Sequence, residues 1–283
     1  MSLRALALDW SLDRQVGTAF LVLVVAVGAL YLFAAAHGRQ HDRRRRRWSR
    51  RRTRLFLGGL AALVIDLYSG IGTEADVRLS VHMVEHMVMW VVVAPLLAAG
   101  APVRLAFFAL PRDGRRRLAR WLRSPAASAL TRPTVTVMAF SGVLLLSHVP
   151  AVYGLTLRND YVHEIEHGLY LFTAVLMWAS ILRVDPLPHR ASARGEVACM
   201  VGCMLPMALI ALWLGTARDP VYGHYLGTLG RSALDDQRLA ATIMWVGGLP
   251  AFAVPASARM HGPARRRTQR ASLTGSQGLS HAR

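Results

Sequence analysis

Lysine is absent from this chain of 283 residues, acidic residues number only 16, and cysteine occurs twice. Each shortage excludes something. Charged residues make up 18% of the sequence against 53% hydrophobic, too little charge to coat a water-soluble domain of this size, and the mean hydropathy is +0.32. The two cysteines, Cys199 and Cys203, stand four apart inside an apolar run and cannot build a disulfide framework. They read as buried small residues, with a thiolate pair for metal arriving from inside the cell as the alternative. Without Lys, all 34 basic residues are Arg, and the formal net charge is +18. Such an excess would suit nucleic acid, but the Arg residues fall in blocks between apolar stretches. They read instead as loops held on the negative side of a membrane, so lipid is the expected surrounding and no nucleic-acid partner is expected.

What the sequence does contain is a series of runs near the roughly 20 apolar residues that a spanning helix needs. Seven are found, over 17–36, 55–71, 79–99, 133–153, 163–182, 197–216 and 237–257. The second is the weakest, diluted by Gly58, Gly59 and Asp66. The first is read as a retained helix rather than a signal peptide: Asp9 and Asp13 cancel Arg4 and Arg14 before it, and the Arg block behind it resists translocation. The predicted fold is therefore an all-α, multi-pass plasma-membrane protein with seven transmembrane helices, N-terminus outside and C-terminus inside. Residues 1–16 form an external segment, 17–257 the membrane domain, and 258–283 a disordered basic cytoplasmic tail. With this orientation the inside segments 38–54, 100–132, 183–196 and the tail after 257 hold 27 of the 34 Arg, and the outside segments hold six. That asymmetry is what the positive-inside rule expects. Loop 100–132 reads as a solvated loop anchored by Trp121, or alternatively as a surface helix with Leu118, Trp121 and Leu122 on its apolar side. Gly58, Gly59, Gly70 and Gly72 are weak candidates for contacts between copies.

Threaded through this topology, five of the eleven His fall at the outer ends of three helices: His82 and His86, His148, and His163 with His167. His37, His41, His189, His261 and His281 fall in inner loops or the tail, and His224 in the last outer loop. His82 and His86, like His163 and His167, are four apart, which puts both imidazoles on one helix face. Each pair encloses a carboxylate, Glu85 in one and Glu166 in the other, and the three side chains share an arc of about 100°. A single interfacial His is ordinary polarity. Five His converging with Glu85, Glu166 and Asp66 nearby point to a metal or cofactor site. Imidazole suits zinc, copper, iron and nickel, while thioether selects Cu(I). Met83, Met87, Met89, Met177, Met200, Met204, Met207 and Met244 lie along the same spans, and each by itself reads as packing.

His82-Met83-x-x-His86 is followed by Ala94-Pro95-Leu96-Leu97-x-x-Gly100-Ala101-Pro102-Val103. Further on come His148-Val149-Pro150-Ala151-Val152-Tyr153, the His163 to His167 segment leading into Met177-Trp178, and Asp235-Asp236-Gln237-x-x-Ala240 leading into Met244-Trp245. In this order and over about Leu55 to Ala253, the sequence resembles the CtaG family of bacterial cytochrome c oxidase (caa3-type) assembly proteins. The resemblance implies a seven-helix plasma-membrane protein, not itself an enzyme, that serves respiratory-chain biogenesis by supplying copper to haem-copper oxidase subunits. Its cargo would be held by His82, His86, His163, His167 and His148, with Asp66, Glu85, Glu166 and Asp236 in support. The family pattern carries Gln where this chain has Glu85, so Glu85 is either a ligand or a hydrogen-bond partner that orients His86.

Two other functions compete. His-x-x-Glu-His is also a zinc-peptidase pattern, and some seven-span proteins are zinc hydrolases of lipid amides, in which Glu85 or Glu166 would serve as general base. A haem-binding electron carrier is the third reading. Pairs four residues apart lie only about 6 Å apart along a helix, too close for two stacked haems.

Overall fold

The computed structural model describes residues 15–37, 48–189 and 191–252. Most of the external segment 1–16, most of the Arg block 38–54, the end of the seventh run and the whole tail 258–283, with His41, His261 and His281, lie outside the described residues. Among those described the chain is all-helical, without strands. The helices are α1 (Gln15–His37), α2 (Arg50–Tyr68), α3 (Gly70–Ala75), α4 (Leu79–Val88), α5 (Ala94–Ala99), α6 (Pro102–Ala109), α7 (Arg112–Leu122), α8 (Pro125–Leu130) and α9 (Pro133–Ser147). They continue with α10 (Pro150–Thr156), α11 (Asp160–Leu182), α12 (Ala193–Thr216), α13 (His224–Leu229) and α14 (Ala233–Gly247).

Among the described residues, four helical stretches are long and apolar enough to cross a membrane: Thr18–His37, Leu79–Ala109, Asp160–Leu182 and Arg194–Thr216. A fifth would be the pair α9 and α10, bent by 81°. The expected straight span over 133–153 is therefore broken, because Pro150 has no N–H to continue the helix and holds Val149 in an extended conformation. The second and seventh runs are helical as α2 and α14, but α2, 19 residues long, carries too much charge and α14, with 15 residues, is too short to count among them. α2 starts at Arg50, so Arg50 to Arg54 are helical rather than part of a loop, and α14 stops at Gly247. His37 ends α1 rather than lying in a loop. The region 100–132 is not a solvated loop either. It folds into α6, α7 and α8, and α7 exposes Trp121 while burying Leu122, the surface-helix alternative.

The apolar faces divide as lipid contact requires. On α11, Ile165, Leu169 and Phe172 are exposed, while His163, Glu166, His167, Tyr170, Ala174 and Met177 are buried; on α12, Leu205, Leu209 and Leu212 are exposed opposite Cys203 and Met207. Both stripes follow the helical period. The starts of α4, α11 and α14 gather at one end of the bundle, called here the His end. α6, α7, α8 and the turn after α11 occupy the opposite, Arg-rich end.

Two proline-induced defects are repaired by side chains. α4 runs into α5 through a π-helical turn, Met89–Val93, in which Ala94 N–H bonds Met89 O. The next residue, Pro95, has no N–H for Trp90 O, and Trp178 Nε1 on α11 donates to that carbonyl at 2.7 Å. Within α12, Pro206 leaves Gly202 O without its usual partner, and Ser141 Oγ on α9 donates to it at 3.4 Å. Close approach also fixes the Arg-rich end. A Cβ on Gly100 would lie 2.7 Å from Phe56 Cβ, so only glycine fits there, and Tyr31 Oη from α1 donates to Gly100 O at 2.7 Å. Gly59 likewise packs against Leu96 and Leu97 of the same chain, a use inside the bundle, whereas Gly58 has open space around it.

Candidate metal centre

α4 and α11 each present a His pair to the same interior. His82 and His86 come from α4, with ring centroids 4.5 Å apart, and His163 and His167 come from α11, 4.3 Å apart. Between the helices, the His82 ring stacks on His163 at 5.6 Å and an interplanar angle of 16°, and His86 meets His167 edge-on at 5.4 Å. One nitrogen from each of His82, His86 and His167 lies within 4.8 Å of the others. Such a group could hold a metal ion, with the rings drawing inward to reach bonds of about 2 Å. All three residues are buried, and neither ring nitrogen of His82 or His86 has a hydrogen-bond partner. Buried imidazole nitrogens without partners are rare because desolvation is costly, and a bound cation would satisfy them.

The carboxylates stand just behind. Glu85 Oε2 is 4.0 Å from His82 Nδ1 and 3.9 Å from His167 Nε2, and Glu166 Oε1 is 3.9 Å from His86 Nε2. Ser147 and Thr156 sit beside Glu166 but donate to the carbonyls of Leu144 and Tyr153. That leaves both Glu166 oxygens without a hydrogen bond. Asp66, buried on α2, has neither oxygen hydrogen-bonded. None of Asp66, Glu85 and Glu166 is paired with Arg among the described residues. The pocket thus gathers three carboxyl groups with no Arg beside them in a low-dielectric interior, where a bound cation would find oxygen partners.

The remaining expected site residues have separate places. His148 ends α9 with Nδ1 held by Leu144 O at 2.8 Å, and its buried Nε2 has no hydrogen-bond partner. Asp236 does not reach the imidazoles. It accepts from Ser80 N at 3.2 Å and Ser80 Oγ at 2.5 Å, capping the start of α4 from α14 and fixing the level of the His82–His86 face. Cys199 and Cys203 are buried free thiols, and Cys203 is within electrostatic reach of Tyr170.

Sequence reasoning missed the tyrosines around the cluster. Tyr170 lies 4.7 Å from His86, and Tyr153 is edge-on to His82 at 5.3 Å. Tyr153 Oη hydrogen-bonds Tyr225 Oη at 2.5 Å, and Tyr222 Oη donates to His148 O at 3.0 Å. Burial raises both the Tyr222 and Tyr225 phenols above their ordinary value, so this layer stays neutral. Tyr153 also lines a cavity of about 390 Å³ together with Arg158 and His224. One phenol ring therefore separates the His cluster from that cavity. The only sequence signal for this layer was Tyr153 in the motif after His148.

The profile of the family described as "Cytochrome c oxidase caa3 assembly factor (Caa3_CtaG)" matches residues 29–262, which include every His of the cluster. The chain belongs to this family. Family members are cytochrome c oxidase assembly factors by description, in line with the several membrane-length helices found here. Relatives include uncharacterized proteins of Mycobacterium bovis and Mycobacterium tuberculosis, each 29% identical over 247 residues, and one of Mycobacterium leprae, 24% identical over the same length. Each alignment covers 83% of this chain but 36% of the relative, so the chain spans about a third of the length of those proteins. No solved structure matches the chain significantly.

Proposed function

We propose that the chain assembles cytochrome c oxidase by binding copper as cargo at the His cluster and supplying it to the oxidase at the outer face of the bacterial plasma membrane. The observation that carries this reading is the set of three buried imidazoles, His82, His86 and His167, with nitrogens within 4.8 Å of one another. The cargo is bound by these three, with His163 stacked alongside to replace a departing ligand. Glu85 and Glu166 orient the rings and offset the charge of the ion. The outward orientation rests on the Arg distribution, 27 of 34 on one side, with α2 and α14 as shorter spans completing seven. Haem-copper oxidase subunits are the partners of such a carrier.

A zinc hydrolase needs an open coordination position and a path for its substrate. Here His82 is fully buried and Tyr153 covers it, which weighs against that reading.

Two experiments test the proposal. Cu(I) titration of the purified protein against a chromophoric chelator should show binding weakened more than about 100-fold in His86→Ala/His167→Ala, since loss of a mere supporting group already costs 10–100-fold. Cells carrying that double variant should make less active oxidase at limiting copper, and added copper should restore part of it. Unchanged Cu(I) affinity, or a fully copper-loaded oxidase at limiting copper, overturns the reading. Reporter fusions at residue 160 should read as external and those at 115 as cytoplasmic; the reverse would place the cluster on the wrong face for this function.

A further inference from the structure

Sulfur is unevenly distributed in this bundle. α1 and α2 contain neither Met nor Cys, whereas α12 carries five sulfur side chains within nine residues, from Cys199 to Met207. If Met served only as filler between apolar helices, Leu and Val would do as well, and nothing would concentrate it on one face of one helix. Cys199, Cys203 and Met207 repeat every four residues and are all buried, while Leu205, Leu209 and Leu212 cover the lipid side.

Two further helices bring thioethers to the same place. Met204, Met207 and Met244 line one cavity of about 140 Å³ between α12 and α14. At the end of α14 the consecutive glycines Gly247 and Gly248 leave room for sulfur on both sides. A Cβ on Gly247 would lie 3.3 Å from Met87 Sδ of α4, and one on Gly248 would lie 3.3 Å from Met207 Sδ and 3.0 Å from Met204 Cε. Any side chain at either glycine would crowd these groups. Met87 directly follows His86 on α4, so adjacent residues present an imidazole to the His cluster and a thioether to the sulfur cluster.

We propose that Met87, Met204, Met207 and Met244 form a second, thioether-only site for Cu(I), separate from the His triad. Neutral, soft thioethers bind a monovalent soft ion without the desolvation cost of a carboxylate or thiolate, which suits a site in the hydrocarbon layer. The cavity it adjoins is bordered by the exposed Trp245 and Leu249, so the site opens sideways between α12 and α14 rather than toward either aqueous phase. The inference rests on copper being the cargo, and it adds where a second ion sits.

The test is Cu(I) stoichiometry of the full chain in detergent under anaerobic conditions, with Ag(I) as a redox-inert second probe and X-ray absorption to identify the neighbouring atoms. The wild type should bind two ions. Met204→Leu/Met207→Leu/Met244→Leu, nearly isosteric and so able to fold, should bind one with nitrogen neighbours. His86→Ala/His167→Ala should keep one with sulfur neighbours only. Two ions bound by the Met variant overturn the proposal, as does a wild type that binds a single nitrogen-ligated ion, a result that leaves the His site standing. A single sulfur-ligated ion untouched by the His substitutions supports the Met site and instead defeats the His reading.

Discussion

At the Arg-rich end of the bundle, Asp185 accepts hydrogen bonds from the N–H groups of Val103, at 3.4 Å, and Arg104, at 2.7 Å, and Glu196 pairs with Arg183. At the His end, Asp66 and Glu166 are buried to a similar degree, yet neither receives a hydrogen bond. The two ends thus spend the same residue type differently. Asp185 supplies the acceptor that the first turn of α6 needs, since Ala101 before it sits at φ 56° and offers no side-chain cap. Its role is complete within the fold. Asp66 and Glu166 at the His end have no such donors among the described residues. Burial alone does not distinguish a structural acid from a binding one, but the presence of donors does.

The sharpest way to break this comparison is at Glu85. Glu85→Ala should lower Cu(I) affinity by about 10–100-fold, as expected for a group that orients ligands, with little change in stability. Glu85→Gln then separates its two possible roles. If Glu85 orients His82 and His167 by hydrogen bonding, Gln restores most of the affinity; if its charge binds the ion, Gln stays as weak as Ala. An alanine variant with wild-type affinity would erase the contrast between the ends.

The complementary substitution, Asp185→Ala, should leave copper binding unchanged and destabilise the protein by about 1–3 kcal/mol, because two helix-start N–H groups lose their acceptor. Denaturation in detergent measures it. Burial raises the Asp185 carboxyl above its ordinary range, with the two N–H donors opposing that rise. The folded state therefore holds this proton more tightly than the unfolded chain. The associated stabilisation is present below the ordinary carboxylate pKa and is lost as pH rises through the raised value, so the deficit of the alanine variant should shrink toward neutral pH. A deficit that grows with pH would reverse the assignment.

Much of the His end was legible in the sequence because its signal is local. Spacing of four along a helix fixes a shared face whatever the tertiary structure, and the two His pairs meet across α4 and α11 in the way that spacing requires. What was not legible depends on contacts between distant residues. Asp236 caps Ser80 from 156 positions away, and Tyr225 reaches Tyr153 across 72. No periodicity announces either. The bend at Pro150 was half visible: proline marks where a helix must stop, but the 81° turn that follows depends on how α10 packs against α11.

The π-helical turn at Met89–Val93 has a consequence for register. Such a turn is an α-helix with one residue too many, and in a regular helix each residue advances the side-chain direction by about 100°. Everything before the turn, including His82 and His86, is therefore clocked a full residue step relative to Pro95 and Leu97 behind it. The wall that seats α5 against Gly59 and the face that presents imidazoles are set by independent phases of one continuous helix. Deleting Val92 alone would bring those phases back into step, so that with α5 kept in its seat the two imidazoles of α4 turn away from those of α11.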